Sequence, residues 1–400
     1  MSNTVKRIEE LCIKITDGAH YSPEECIDGC YPMYSSKDML YGKFADSGVK
    51  LISEEDYKKL VTQDCQPQEN DILIIKDGAN YLKYTFRVPQ KLNAVILSSI
   101  AILRPDINII DPDYFTYLLR TKSIRSAMAN YVSGAAIPRI VLKDFKKMKL
   151  SIEPSISVQR EISKKLLPLD NLIEVNNKKI ELLEKMAESI YKEWFVHFRF
   201  PGHETADFEN DTPHGWSMGK EVETKRPKNW HYGQFAELGL FVRGRNITSA
   251  EMIDGDVPVV SAGIDPSGYH NESNVKGKSL TVSASGANAG FLKYNLDDIW
   301  AADCSYYQDE GKLWFAYHLL KFLQPVISNL QCGAAQPHVH PKQINRLSVI
   351  IPPESLIRDY CSRVSPMYDE IKKLMDSNRN LNKQRDLLLP RLMSGKLEVQ

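Results

Sequence analysis

The chain repeats itself once, at a displacement of about 200 residues. Internal duplication limits the possible folds more than any local pattern does. Ser133-Gly134-Ala135-Ala136-Ile137-Pro138-Arg139-Ile140 returns 199 residues on as Cys332-Gly333-Ala334-Ala335-Gln336-Pro337-His338-Val339. Upstream, Gly78-Ala79-Asn80 with Leu82-Lys83-Tyr84 finds an echo in Gly286-Ala287-Asn288 with Leu292-Lys293-Tyr294. Between them lie Tyr114-Phe115-Thr116-Tyr117-Leu118-Leu119 and Trp314-Phe315-Ala316-Tyr317-His318-Leu319-Leu320. Three matches in one order mark a chain built twice on one plan.

A second repeat has helical period. Steps of four and three run through Ile162, Leu166, Leu169, Ile173, Asn176, Ile180, Leu183, Ala187, Ile190 and Trp194. Displaced by 198, the ladder reads Tyr360, Val364, Met367, Ile371, Leu374, Asn378, Leu381, Arg385, Leu388 and Leu392. A seven-residue apolar repeat held over more than four heptads is a coiled-coil seam. Asn176 and Asn378 occupy seam positions, where a buried amide fixes register at some cost in stability; the alternative is that both face solvent at a frayed seam. Pro168 and Pro366 share one heptad position, and each helix is expected to kink or to begin there.

The order of parts is globular segment, long helix, globular segment, long helix. The expected boundaries are 1–152, a spacer helix over 153–200, a polar Pro- and Gly-containing linker over 201–226, a second globular segment over 227–352, and a C-terminal helix over 353–400. Strands are expected at Asp71 to Lys76, Ala94 to Leu103, Val257 to Ser261 and Ser279 to Ser283. Asp113 to Tyr131 and Glu310 to Leu330 read as helices whose aromatics face a core. The fold class is therefore α+β: two mixed globular domains separated by two long coiled-coil helices, with a pseudo-two-fold repeat.

Composition narrows the class of function. With 42% hydrophobic and 26% charged residues the chain is a globular protein. Ala94 to Leu103 is about half the ~20 residues that span a bilayer, and the first ten residues lack the apolar core of a signal peptide. Seven irregularly spaced cysteines fit a reducing cytoplasm. Lys+Arg and Asp+Glu both number 51. That balance counts against a lone DNA binder unless basic residues cluster or partners supply phosphate contacts. They do cluster: Arg139, Lys143, Lys146, Lys147 and Lys149 stand against Asp144 alone between Pro138 and Leu150.

Catalytic motifs are absent from the sequence. There is no G-x-x-x-x-G-K-[ST] phosphate loop and no G-x-S-x-G elbow, Ser283-Ala284-Ser285-Gly286 failing the pattern. An adenine methyltransferase would need an Asn-Pro-Pro-aromatic motif and a Gly-rich cofactor turn, and neither occurs. His338/His340 and Cys26/Cys30 lack partner pairs at zinc spacing, so no metal is expected.

The chain as a whole resembles the specificity (S) subunits of type I restriction-modification systems. The resemblance rests on the duplication, on Gly-Ala-Ala-x-Pro ahead of each long helix, and on Thr16-Asp17-Gly18-Ala19-His20. It also rests on two helix ends, Ile190-Tyr191-Lys192-Glu193-Trp194-Phe195-Val196-His197-Phe198-Arg199-Phe200-Pro201-Gly202 and Leu388-Leu389-Pro390-Arg391-Leu392-Met393-Ser394-Gly395-Lys396-Leu397. It implies a non-catalytic cytoplasmic protein whose globular segments are target recognition domains, each reading half of a bipartite double-stranded DNA target. The two long coiled-coil helices would pack antiparallel as a spacer, and two DNA adenine methyltransferase (M) subunits would dock on the assembly. Those partners would carry S-adenosylmethionine, and restriction (R) subunits would bring ATP and Mg. From Pro168 to Trp194 the spacer would measure on the order of 40 Å at ~1.5 Å per residue. Half-sites one helical turn apart lie roughly 34–36 Å from each other. The competing reading is a coiled-coil adaptor whose paired domains bind proteins.

Base edges and phosphates are read by short polar side chains, amides and cations on loops. In the first domain the candidates are Ser35, Ser36, Lys37, Lys76, Asn80, Lys83, Tyr84 and Arg139; in the second they are Ser261, Ser283, Ser285, Asn288, Lys293, Tyr294, Gln336 and His338. Residues shared by both copies cannot account for different half-sites, so specificity is expected where the copies differ. The second half lacks Thr-Asp-Gly-x-His and has Val242-Arg243-Gly244-Arg245 near there, which counts against equivalence of the two N-terminal loops.

Overall fold

The computed structural model describes residues 3–26, 28, 30–78, 80–133, 138–210, 225–331 and 337–397. The chain forms two compact units, one from Met1–Ile173 with Asn378–Gln400 and one from Glu174–Ser377.

In the first unit the buried run Ile72–Ile75 is the kind of uninterrupted apolar segment that makes a strand covered on both faces. It sits inside a four-stranded sheet of order Cys12–Asp17, Ile100–Pro105, Ile72–Ile75, Thr85–Arg87, with every neighbouring pair antiparallel. A three-stranded sheet orders Lys50–Ile52, Tyr31–Tyr34 and Val95–Ile96, the last pair parallel. Thr4–Arg7 pairs with Lys149–Ile152 just before the first long helix. The run Ala94 to Leu103, expected as one strand, is two: Val95–Ile96 serves one sheet and Ile100–Pro105 the other. Ser98 and Ser99 make the turn between them. Asp113 to Tyr131 is likewise two helices, Pro112–Arg120 and Lys122–Ala129, separated by an extended Thr121. The Asp111 side chain caps the first, with Pro112 in its first turn.

The second unit repeats both of these sheets. Its four-stranded sheet runs Val242–Arg243, Cys304–Tyr307, Ser279–Ser283, Leu292–Asn295. Its three-stranded sheet runs Gly268–His270, Val257–Val260, Trp300–Ala301, again with one parallel pair. His231–Gln234 pairs with Ser348–Ile351 ahead of the second long helix. Leu313–Phe322 and Gln324–Ser328 correspond to Pro112–Arg120 and Lys122–Ala129. Tyr114, Phe115, Trp314 and Phe315 are all buried, so these aromatics are core. The segment read as a linker adds a strand pair, Phe208–Asn210 with Lys225–Pro227, and Phe208 packs on the second unit's core.

The long helices are Ile156–Tyr191, widening to a π-helical turn over Lys192–Val196, and Glu354–Met393. Pro168 and Pro366 each lie twelve residues inside a helix (168 − 156 and 366 − 354) and are exposed, so neither proline begins its helix. Within each unit the two helices run antiparallel. In the first, Ile162 and Leu166 share a core with Leu389 and Leu392, and Asp170 meets Arg385 at 2.9 Å. In the second, Ala187 packs beside Tyr360 and Asn176 Nδ2 lies 3.5 Å from Ser377 Oγ.

Of the seam residues, Ile162, Leu166, Ile173, Asn176, Ile371, Leu374 and Asn378 are buried. Leu169, Ile180, Leu183, Ile190, Met367, Leu381 and Leu388 are half-buried. Both asparagines therefore belong to the seam. Arg385 fits it by pairing: burial alone would push the Asp170 carboxyl up, but Arg120 and Arg385 hold it below the usual range.

Candidate nucleic-acid interface

The first domain gathers its predicted polar residues at the mouth of the four-stranded sheet. Gly18 follows strand Cys12–Asp17 and presses on the neighbouring chain, where an added Cβ would stand 2.1 Å from the Ile96 carbonyl oxygen. Four main-chain hydrogen bonds then frame the site: Gly18 N to Ile100 O (3.3 Å), Lys76 N to Ser99 O (2.9 Å), Gly78 N to Pro138 O (3.0 Å) and Ile140 N to Lys76 O (2.9 Å). Inside that frame the Lys76 ammonium, only 4% exposed, lies 3.2 Å from Asp17 and 3.1 Å from Asp77. Arg139 reaches back to Asp77 at 3.3 Å while remaining largely open to solvent. His20 stands 3.2 Å from Asp17, and the Ser36 amide donates to Ser99 Oγ at 3.0 Å. Ser35, Ser36 and Lys37 form a turn tied by the Asp38 carboxylate, which accepts from the Ser35 amide and hydroxyl.

The second domain has the same frame with other contents. Gly244 N donates to Cys304 O (2.8 Å), Ala284 N to Asp303 O (3.2 Å), Gly286 N to Pro337 O (3.0 Å) and Val339 N to Ala284 O (3.0 Å). A Cβ on Gly244 would stand 2.5 Å from the Ala301 carbonyl oxygen, so Gly244 does the work of Gly18. This registers Arg243 on Asp17, Ser285 on Asp77, Asp303 on Ser99 and His338 on Arg139. Asp303 accepts from both the Ser285 hydroxyl and the Arg243 guanidinium.

Several candidates lie differently from the reading above. Lys76 is locked between two carboxylates and orients them, whereas a phosphate contact needs a free cation. Ser283 is buried and spends its hydroxyl on Ala262 O (3.0 Å). Tyr294 packs edge-on against Trp314, Tyr317 and Tyr368, and its hydroxyl donates to Glu184 of the first long helix. Burial, and then that carboxylate, push its phenol far above the usual range. Lys293 bonds to Ile264 O at 3.2 Å.

The echo of Lys83-Tyr84 in Lys293-Tyr294 is out of register. Leu82 N donates to Ile75 O as Gly290 N does to Ser283 O, and both adopt left-handed backbone (φ 58° and 86°). Lys293 and Tyr294 thus lie within a strand, while Lys83 and Tyr84 precede one. Asn80 and Lys83 are exposed; Tyr84, Ser261, Asn288 and His338 are half-buried. Gln336 and most of both Gly-Ala-Ala-x-Pro motifs lie outside the described residues.

Sequence reasoning left Asp77, Ser99 and Asp303 off the site and noted Asp17 and Arg243 only in passing. Aligning the halves on Asp17-Gly18 and Arg243-Gly244 is the signal that finds them. Among the described residues no group of three or more His, Cys, Asp or Glu side chains converges as a metal site. No described helix is long and apolar enough to cross a membrane.

A duplicated sheet, with a polar frame at each copy and paired long helices, defines a two-module recognition protein. The family described as "Type I restriction modification DNA specificity domain" matches residues 2–185 and 227–357. The Type I restriction enzyme MjaIX specificity subunit of Methanocaldococcus jannaschii is 26% identical over 313 residues, covering 72% of this chain and 69% of that one. The HindI specificity subunit of Haemophilus influenzae is 21% identical over 408 residues, covering 82% and 87%. The crystal structure of a type I restriction-modification S subunit from M. genitalium shares the fold, with a TM-score of 0.55 at 18% identity over 98% of this chain and 99% of that one. The chain belongs to the type I restriction-modification DNA specificity family, as a non-catalytic, sequence-recognising specificity subunit.

Proposed function

We propose that each frame reads one half of a bipartite DNA target, with recognition domains 1–152 and 227–352 and the helical segments 153–200 and 353–400 as the spacer. The duplication carries this reading: one sheet plan, made twice, presents two polar frames with different contents. Helices of 36 and 40 residues, roughly 54 and 60 Å at ~1.5 Å per residue, are long enough to span half-sites about one DNA turn apart. Two adenine methyltransferase subunits dock on the repeated surface and carry S-adenosylmethionine; restriction subunits add ATP- and Mg-dependent cleavage. The working compartment is the cytoplasm, which suits the six free cysteines among the described residues.

The test is genome-wide adenine methylation in a host with and without this gene, co-expressed with its methyltransferase. Loss of one split motif on deletion supports the reading. So does a change in only one half-site when residues 1–152 are exchanged with those of a relative. An exchange that alters both halves, or neither, overturns it.

A further inference from the structure

The two frames differ at five side-chain positions while keeping the same main-chain hydrogen bonds. Position by position, Asp17, Lys76, Asp77, Ser99 and Arg139 in the first domain become Arg243, Ala284, Ser285, Asp303 and His338 in the second. Each frame retains one exposed arginine held by a mostly buried carboxylate. Arg139 is 62% exposed against 10% for Asp77, and Arg243 is 41% exposed against 25% for Asp303. The arginine nevertheless enters from opposite sides. Arg139 comes from the strand Arg139–Ile140 near the end of the first domain, and Arg243 from the strand Val242–Arg243 near the start of the second.

We propose that Arg139 and Arg243 are the guanine-reading residues of the two half-sites, each aimed by its carboxylate. This inference rests on the DNA-reading role argued above. A guanidinium presents two parallel N–H donors that match guanine O6 and N7 in the major groove, the pairing most often used for specific readout. A carboxylate behind it, 3.3 Å from Arg139 Nε in the first frame and accepting a hydrogen bond from Arg243 Nη2 in the second, restrains the fork and lowers the entropy lost on contact. Asp77 and Asp303 are therefore positioning residues, too shielded to serve as main contacts. Because the fork arrives from different sides of one frame, the guanine falls at different places in the two half-sites. A duplicated domain thereby reads two sequences without changing its backbone.

The experiment uses the full chain with its methyltransferase subunits in a host lacking other adenine methylation, read by methylation sequencing. Arg139→Ala should relax one G·C position in the half-site of the first domain, by roughly ten- to a hundredfold in preference, and leave the other half intact. Arg243→Ala should do the same in the other half. Arg139→Gln should admit adenine at the relaxed position, since an amide pairs with adenine N6 and N7. Asp77→Asn should weaken the same position as Arg139→Ala.

Unaltered motifs with uniformly reduced methylation would overturn the inference, because a phosphate contact carries no base identity. Relaxation of both variants within one half would overturn it too. If a variant melts below the wild type, Arg139→Lys and Arg243→Lys keep the charge; retention of the full motif by both would refute guanine reading by a fork. Arginine variants that leave the motif untouched, alongside a 1–152 exchange that moves one half, would sink this inference alone. An exchange that moves nothing would sink the underlying reading.

Discussion

His318 makes the second unit sensitive to acid by an amount that can be worked from its surroundings. The imidazole is almost wholly buried, 1% exposed, between the helix Leu313–Phe322 and the two long helices. Nδ1 lies 2.9 Å from both the Trp314 carbonyl oxygen and the Tyr360 hydroxyl, whose own proton goes to the Ala187 carbonyl, and Nε2 lies 3.2 Å from the Tyr368 hydroxyl. A neutral ring satisfies both: Nδ1–H donates to Trp314 O, and Tyr368 O–H donates to Nε2. Burial is the largest influence and lowers the ring from 6.5 to about 4, against the Trp314 carbonyl, which favours the cation, while Lys321 and Glu188 act in opposite senses.

Between those values the unfolded chain holds the proton and the folded chain refuses it, so acidification favours unfolding. The stabilisation is complete above about pH 6.5 and is lost as pH falls toward 4. At 1.36 kcal/mol per unit, the span amounts to about 3 kcal/mol. All five tryptophans, at 194, 216, 230, 300 and 314, fall between residues 174 and 377. Denaturant titration followed by tryptophan emission therefore reports the second unit. His318→Asn keeps a donor for Trp314 O and removes the titration. The difference in unfolding free energy between wild type and variant should shrink by about 3 kcal/mol from pH 7 to pH 4, the carboxylates common to both cancelling. A difference that stays constant over that range would refute the argument, as would a His318 NMR titration midpoint near 6.5.

Two further perturbations address the scaffold. Gly18→Ala and Gly244→Ala each drive a Cβ into a carbonyl oxygen, at 2.1 Å and 2.5 Å, and should each cost about 2 kcal/mol or more in thermal or denaturant unfolding. Wild-type stability in either would mean that the close approach is not obligatory. Leu183→Asp sets an unpaired charge among half-buried seam residues. It should cost a few kcal/mol and abolish co-purification with the methyltransferase; an unchanged melting temperature with an intact complex would show that the seam tolerates it.

What the sequence made legible follows from where each constraint is encoded. The heptad ladder lies in consecutive residues, so both long helices could be read directly, and buried Asn176 and Asn378 hold the seam positions that the spacing gives them. The duplication was legible from short matched motifs. Register was not, because the second Lys-Tyr pair belongs to a strand two residues further on, and only the partners of Leu82 and Gly290 expose the slip. Ala94 to Leu103 looked like one strand because its side chains are uniformly apolar; the need to serve two sheets breaks it. The site residues that escaped notice are held by main-chain bonds between segments far apart in sequence. Asp17 and Arg243 each precede a glycine, and Asp77 and Ser285 each precede the shared Gly-Ala-Asn, but Ser99 and Asp303 carry no local motif, so only the fold brings them to the same place.

The frames also explain how a chain with equal acids and bases can recognise a polyanion. In the first frame Asp17 and Asp77 offset Lys76 and Arg139; in the second Asp303 offsets Arg243. Each is locally neutral, so neither supplies much attraction for phosphate, and Ala284 needs no cation because its frame has no second carboxylate to hold. The clustered candidates for phosphate attraction are Lys143, Lys147 and Lys149, exposed in the stretch of chain that follows Arg139. Counterion release gives each phosphate contact close to one unit of slope in log Kd against log salt. Replacing Lys143 and Lys149 with alanine should therefore lower the slope for DNA binding by roughly two without changing which sequence is preferred. Replacing Arg139 and Arg243 should change the preference and leave the slope nearly as it was. The opposite assignment, with the slope following the arginines and sequence preference the lysines, would show that the frames grip the backbone and that the bases are read elsewhere.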